Sequence, residues 1–110
     1  MGPRRRSVVW AESARQQLGE ALAYVAQDSP GGALRLLHKI LDTGASLAVL
    51  SERGPVVSES AAALIREILV DPFRLFYQVR ESEVIVIAVL HQRQDFSRWA
   101  ERGLRRPDAP

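Results

Sequence analysis

The stretch Ile65–Asp95, IREILVDPFRLFYQVRESEVIVIAVLHQRQD, is the densest run of β-branched and aromatic residues in the chain. These residue types favour strands. Asp71-Pro72 and Glu81-Ser82 interrupt the run with residues typical of turns, so the stretch is predicted to fold as a three-stranded antiparallel meander. The predicted strands are Ile65–Val70, Phe73–Arg80 and Glu83–His91.

Side chains alternate between the two faces of a strand, so connections of even length determine which residues share a face. An odd connection at Pro72 would exchange the faces of the first strand. One predicted face is nearly all apolar and is assigned to the core: Arg66, Ile68, Val70, Phe73, Leu75, Tyr77, Val79, Val84, Val86, Ala88 and Leu90. The other mixes aliphatic and charged residues and is predicted to bind a partner: Glu67, Leu69, Arg74, Phe76, Gln78, Arg80, Glu83, Ile85, Ile87, Val89 and His91.

One strand and two helices are predicted upstream of the meander. Ser7–Trp10 is short and β-branched, which suits a first strand, and apolar residues at spacings of three and four predict an amphipathic helix over Glu12–Gln27. Ser29 and Pro30 suit an N-cap and a first helical position, so a second helix follows at once. The resulting helical hairpin needs an apolar partner surface, which the meander supplies. Residues expected to be buried between them are Leu18, Leu22, Ile40 and Leu75.

The remaining segments complete an α+β fold of order β-α-α-β-β-β-α, with the helical hairpin on one face of a small, mainly antiparallel sheet. Ser51–Ser60 is rich in glycine, proline and serine and is predicted to be a loop. Asp95 is predicted to cap a short helix, Phe96–Arg102. The chain is expected to form one domain over residues 7–103, between a basic disordered arm, 1–6, and a tail, 104–110.

Composition excludes several classes of function. The formal charge is +2, yet the chain between Ser7 and Glu101 holds nine basic and twelve acidic residues, so a surface that coats nucleic acid is not expected. There is no cysteine and there are two histidines, too few for a zinc site, and no metal or cofactor is predicted. No apolar run approaches the roughly 18 residues of a membrane span, so a cytoplasmic protein is expected.

Four segments carry a resemblance to known proteins. They are VVWAESARQQL from Val8, YVAQDSPGGALRLL from Tyr24, PFRLFYQV from Pro72 and VLHQRQD from Val89. In this order they resemble the ParE/RelE superfamily of bacterial toxins, and its ParE branch in particular. The resemblance implies the toxin of a type II toxin–antitoxin pair of the plasmid-stabilisation type, which a cognate antitoxin holds inactive.

Two activities occur in this superfamily. ParE-like members poison DNA gyrase and are not enzymes, whereas RelE-like and YoeB-like members cleave mRNA on the ribosome. Cleavage needs a base, a cation and an acid on one face, and the predicted mixed face holds a candidate set in Glu67, Arg74 and His91. A simpler interpretation is a cross-strand ion pair between Glu67 and Arg74, with His91 at the sheet edge.

The resemblance favours a gyrase inhibitor. Lys39 is the only lysine, which excludes the lysine-rich site of RelE, and Gln92 stands where YoeB-like sequences have tyrosine. The alternatives are a ribosome-dependent mRNA endonuclease and a non-toxic module that only binds antitoxin.

Partner-binding residues follow from the same pattern. Arg93 matches the His-x-Arg of ParE-like sequences, and Tyr77 is assigned a structural role. Candidates for contact with the target are Arg74, His91 and Arg93. The mixed face is expected to bind an antitoxin segment that folds on binding, and its candidate residues are Phe76, Gln78, Ile85, Ile87 and Val89. Contact with DNA is expected only through the antitoxin, and none with a membrane.

Overall fold

The structure, a computed structural model, describes residues 5–57 and 64–103, with side chains described as far as Trp99. Its elements are β1 (Ser7–Trp10), α1 (Glu12–Asp28), α2 (Pro30–Ser46), β2 (Val56–Val57), β3 (Ile65–Val70), β4 (Phe73–Val79), β5 (Glu83–His91) and α3 (Phe96–Gly103). The strands form one sheet in the order β1-β5-β4-β3-β2. β1 is parallel to β5, and the other pairs are antiparallel. The predicted α+β class and the meander are confirmed.

Strand β2 is the element that sequence reasoning missed. It falls inside the predicted loop Ser51–Ser60 and pairs Val56 and Val57 with the first two residues of β3. Two residues are too few to show an alternating pattern, so the glycine and proline around them dominated the prediction. Residues 58–63 of the same predicted loop lie outside the described residues.

The connection between β3 and β4 has the predicted even length. Val70 lies opposite Phe73, so Asp71 and Pro72 alone form the turn, and the peptide bond between them is cis. The faces predicted for β3 and β4 are therefore confirmed. The face that carries Phe73 and Tyr77 packs on α1 and α2 and is called the hairpin face; the opposite one is called the α3 face.

A β-bulge interrupts the pairing of β4 with β5. Phe76 lies opposite Ala88, whereas the next residue, Tyr77, lies opposite Val86, so Ile87 is the additional residue. A bulge places one extra residue on one strand and inverts the alternation of side chains beyond it.

The bulge makes the predicted faces wrong for the last four residues of β5. Val89 is 3% exposed and packs in the hairpin-face core, and His91 shares that face because it lies opposite Phe73. Ala88 and Leu90 belong to the apolar cluster on the α3 face. The prediction had placed each of these four residues on the other face.

Helix α1 supplies hydrogen bonds to β5 beyond the end of β1. The Ser13 hydroxyl donates to the Ile87 carbonyl oxygen at 3.0 Å, and the Gln17 side-chain oxygen accepts from the Val89 N–H at 2.8 Å. Buried backbone groups require partners. The first two turns of α1 therefore satisfy backbone groups at the bulge and fix the helix on the sheet.

The hairpin-face core confirms most of the predicted packing. Leu18, Ile40 and Leu75 are buried in it, whereas Leu22 is only partly buried. The Ser29 hydroxyl accepts from the Gly32 N–H at 2.9 Å, which confirms the predicted N-cap of α2. Gly44 packs against Trp10, and a Cβ there would lie 2.8 Å from the indole ring, so α2 approaches β1 closely only because this residue is glycine.

Arg6 is part of the fold, although the sequence assigned it to the basic arm. Its backbone N–H donates to Ala48 at 2.7 Å, and its guanidinium donates to the Arg80 carbonyl oxygen and the Ser51 hydroxyl. Residues 1–4 of the predicted arm and the predicted tail, 104–110, lie outside the described residues. Within the described part of the chain, no helix is both long and apolar enough to cross a membrane.

Candidate functional site

Helix α3 packs on the sheet face that was predicted to bind a partner. Asp95 caps the helix, since its carboxylate oxygen accepts from the Ser97 N–H at 2.9 Å and the Arg98 N–H at 3.4 Å. Phe96 stacks on Phe76 with ring centroids 4.2 Å apart, and Trp99 lies beside Phe96. The predicted short helix and its cap are confirmed, and the helix covers part of the α3 face.

The predicted antitoxin-binding residues fall into three environments. Phe76 and Ile87 are 0% and 6% exposed, in the cluster that contains Phe96. Gln78 and Ile85 lie opposite each other on the same face and are half-buried. Val89 lies on the hairpin face. Of the five predicted residues, Gln78 and Ile85 therefore offer the most accessible surface.

Arg74 and Glu67 form the predicted ion pair on the α3 face. The distance between Arg74 Nη1 and Glu67 Oε2 is 3.6 Å, and the two side chains are 22% and 28% exposed. Arg74 Nη2 also donates to the Gln94 carbonyl oxygen at 2.8 Å, and its guanidinium carbon lies 5.0 Å from the centre of the Phe76 ring. Among the residues that the structure describes, none is a hydrogen-bond partner for the buried Arg74 Nε atom. This guanidinium is thus largely engaged by its own chain.

His91 does not share a face with this pair, because the bulge places it on the hairpin face. Its ring meets the ring of Phe73 edge-on at 5.4 Å, and its Nδ1 atom accepts from the Arg93 N–H at 3.1 Å. The expectation that Glu67, Arg74 and His91 share one face is wrong. The described residues also contain no group of three histidines or carboxylates that could hold a metal ion.

The loop from Gln92 to Asp95 is held by several hydrogen bonds although its side chains are exposed. The Gln92 N–H donates to Pro72 at 2.9 Å, and the Gln94 N–H donates to the His91 carbonyl oxygen at 2.8 Å. The Gln94 side chain accepts from the His91 N–H at 2.7 Å. Gln94, which sequence reasoning did not single out, therefore organises the loop that presents the exposed side chain of Arg93.

Tyr77 is buried on the hairpin face, as predicted, and joins the core to the loop before β2. Its hydroxyl accepts from the Gly54 N–H at 2.9 Å, and Arg66 donates to the Gly54 carbonyl oxygen at 2.8 Å. A Cβ at Gly54 would overlap the Glu67 carbonyl oxygen, so the close approach requires glycine. Burial raises the pKa of the Tyr77 hydroxyl, which is consistent with a structural role.

Comparison with known proteins identifies the family. A family model described as the ParE toxin of the type II toxin–antitoxin system parDE matches residues 8–96. The chain belongs to the ParE toxin family. Membership implies an antitoxin partner, and the predicted superfamily and branch are confirmed. No curated protein matches the sequence.

A solved structure agrees with this family at the level of the fold. The structure titled "Chromosomal ParDE TA system from P. aeruginosa" is similar with a TM-score of 0.65 and 21% identity, over 79% of this chain and 96% of that chain. In this member of the ParE toxin family, the candidate site thus comprises the partly covered α3 face and the β5–α3 loop beside it. The predicted strands placed this face and this loop in the right part of the chain. They did not reveal the bulge, which decides the face on which His91 lies.

Proposed function

We propose that this chain is a toxin that arrests growth by poisoning DNA gyrase in the cytoplasm, without catalysing a reaction of its own. The position of His91 carries the proposal. Cleavage of RNA by acid–base chemistry needs the proton-transferring groups and a cation around one phosphate. Glu67 and Arg74 lie on the α3 face, whereas His91 packs against Phe73 on the hairpin face. Binding to gyrase does not require these three side chains to meet at one point.

Arg93 is the strongest of the three candidates for contact with gyrase. Its side chain is exposed, and its backbone N–H is bonded to His91. A fixed backbone lowers the entropy lost when an exposed side chain binds, and an arginine can donate two parallel hydrogen bonds to a carboxylate. His91 would support this contact from behind the loop, and Arg74 from the α3 face.

The antitoxin is proposed to bind the α3 face with a segment that folds on binding. Gln78, Ile85 and Val9 are neighbours across three strands, and Val9 is 43% exposed. This strip extends the apolar cluster beyond the residues that pack on Phe96. Apolar area left partly open beside a core cluster is a common site of protein association.

Two parallel assays of the purified chain test the proposal. The first measures DNA supercoiling and DNA cleavage by gyrase, and the second maps mRNA ends in a translating ribosome extract. Inhibited supercoiling with trapped DNA breaks, together with intact mRNA, is the expected result. New mRNA ends that require the ribosome, with gyrase unaffected, would overturn the proposal. Addition of the cognate antitoxin should abolish the effect in either case, and serves as the control for folded toxin.

A further inference from the structure

The loop Gln92–Asp95 is an exposed segment in which each residue is fixed by a hydrogen bond. Gln92, Arg93 and Gln94 donate backbone N–H groups to Pro72 and His91, and Asp95 caps α3. Exposed loops are ordinarily among the more mobile parts of a fold. Hydrogen bonds at every residue of this loop restrain its backbone and therefore the position from which each side chain extends.

Arg74 connects this loop to the α3 face from the neighbouring strand. Its guanidinium donates to the Gln94 carbonyl oxygen at 2.8 Å and lies 3.6 Å from the Glu67 carboxylate. The same group lies over the ring of Phe76, which stacks on Phe96. Arg74 therefore touches the loop, the sheet and the ring on which α3 docks.

We propose that Arg74 is a positioning residue for the gyrase contact: it holds the Gln94 carbonyl and thereby fixes the direction of Arg93. This inference rests on the proposed function. A side chain that is 22% exposed, with one guanidinium nitrogen on a backbone carbonyl and another beside a carboxylate, has little donor surface left for a target. Arg93, one residue before the carbonyl that Arg74 holds, has an exposed side chain.

Loss of Arg74 can reduce toxicity in two ways, through a lost contact with the target or through a changed orientation of Arg93. If Arg74 contacts the target directly, the effects of removing Arg74 and Arg93 multiply, because the two contacts are independent. If Arg74 acts by orienting Arg93, its removal has no further effect once Arg93 is absent. Lysine at position 74 can donate to Gln94 but lacks the planar fork that also faces Glu67, so it should restore part of the function.

The experiment is a double-mutant cycle with Arg74→Met, Arg93→Ala and the double variant. The half-inhibitory concentration in gyrase supercoiling is measured for each protein, and growth arrest on induction is measured in parallel. We expect about a tenfold or greater loss for Arg93→Ala, a smaller loss for Arg74→Met, and a double variant equal to Arg93→Ala. Arg74→Lys should recover part of the loss. Arg35→Met, at an exposed arginine on α2, is the matched control and should behave as wild type.

Amide hydrogen exchange supplies a readout that does not depend on gyrase. Arg74→Met should accelerate exchange at Arg93 and Gln94 while Val84 and Val86 in the core keep their protection. Multiplied losses in the cycle, or unchanged exchange in the loop, would overturn the positioning role. A wild-type chain that leaves gyrase unaffected refutes the proposed function instead, and the cycle measured by growth arrest then decides the role of Arg74.

Discussion

Replacement of Gln17 by methionine tests whether α1 completes the hydrogen bonding of the bulge. The side-chain oxygen of Gln17 accepts from the Val89 N–H at 2.8 Å, and Val89 is 3% exposed. Methionine keeps the length and approximate volume of the side chain and removes the acceptor. The Val89 N–H then has no side-chain partner at this position. A buried unsatisfied donor costs about 1–3 kcal/mol.

Gln16→Met is the matched control, because Gln16 is the exposed neighbour on the same helix. Its effect should stay within about 0.5 kcal/mol. Both variants are measured by urea unfolding and by thermal unfolding, where 1 kcal/mol corresponds to about 4–8 °C for a domain of this size. Amide exchange at Val89 should be faster only in Gln17→Met. Equal unfolding midpoints for the two variants, with Val89 still protected, would refute the role assigned to α1.

Three further outcomes are expected. Tyr77→Phe removes the acceptor of the buried Gly54 N–H and should lower the free energy of unfolding by about 1–3 kcal/mol. Because burial raises the Tyr77 pKa from 10.0, the stability of the wild type should also fall as the pH rises above 10. The variant has no hydroxyl at this position, so its stability should fall less over the same pH range. His91→Gln should keep most of the growth arrest, and mRNA cleavage that disappears in this variant would support a nuclease. Ile85→Asp should weaken antitoxin binding in a calorimetric titration of folded protein, whereas Val56→Asp, on the hairpin face, should not.

Local signals in the sequence predicted most of the elements. The N-cap at Ser29, the cap at Asp95 and the turn at Asp71-Pro72 lie where their residue types indicated. Each of these features depends on side chains within a few residues of one another, so a short stretch of sequence is enough to predict it. Ser7–Trp10 was correctly predicted to be a strand. Its pairing with β5 was not predicted, because the two strands are distant in sequence.

The bulge could not be predicted from β5 alone. In Val84–Leu90 every residue is apolar, and both faces of the strand are covered, one by α1 and α2 and the other by α3. An alternating pattern assigns faces only when one face is polar. The available signal lay in α1, where Ser13 and Gln17 are four residues apart beside the buried positions Ala14 and Leu18. Polar residues on the edge of a buried stripe indicate that backbone groups there need partners.

Hydrogen bonds decide the register of β5 more strongly than its apolar side chains do, and this choice determines which chemistry the sheet can support. An alternation without the bulge would move Ala88 and Leu90 to the hairpin face and Val89 and His91 to the α3 face, and since both faces are covered by apolar residues, side-chain burial discriminates little between the two registers. It would also separate Ile87 and Val89 from Ser13 and Gln17, and each buried group left without a partner costs about 1–3 kcal/mol. The two polar side chains of α1 therefore hold His91 on the face away from Arg74. A substitution in α1 that brought the three groups of a nuclease onto one face would have to remove the hydrogen bonds that Ser13 and Gln17 make to β5.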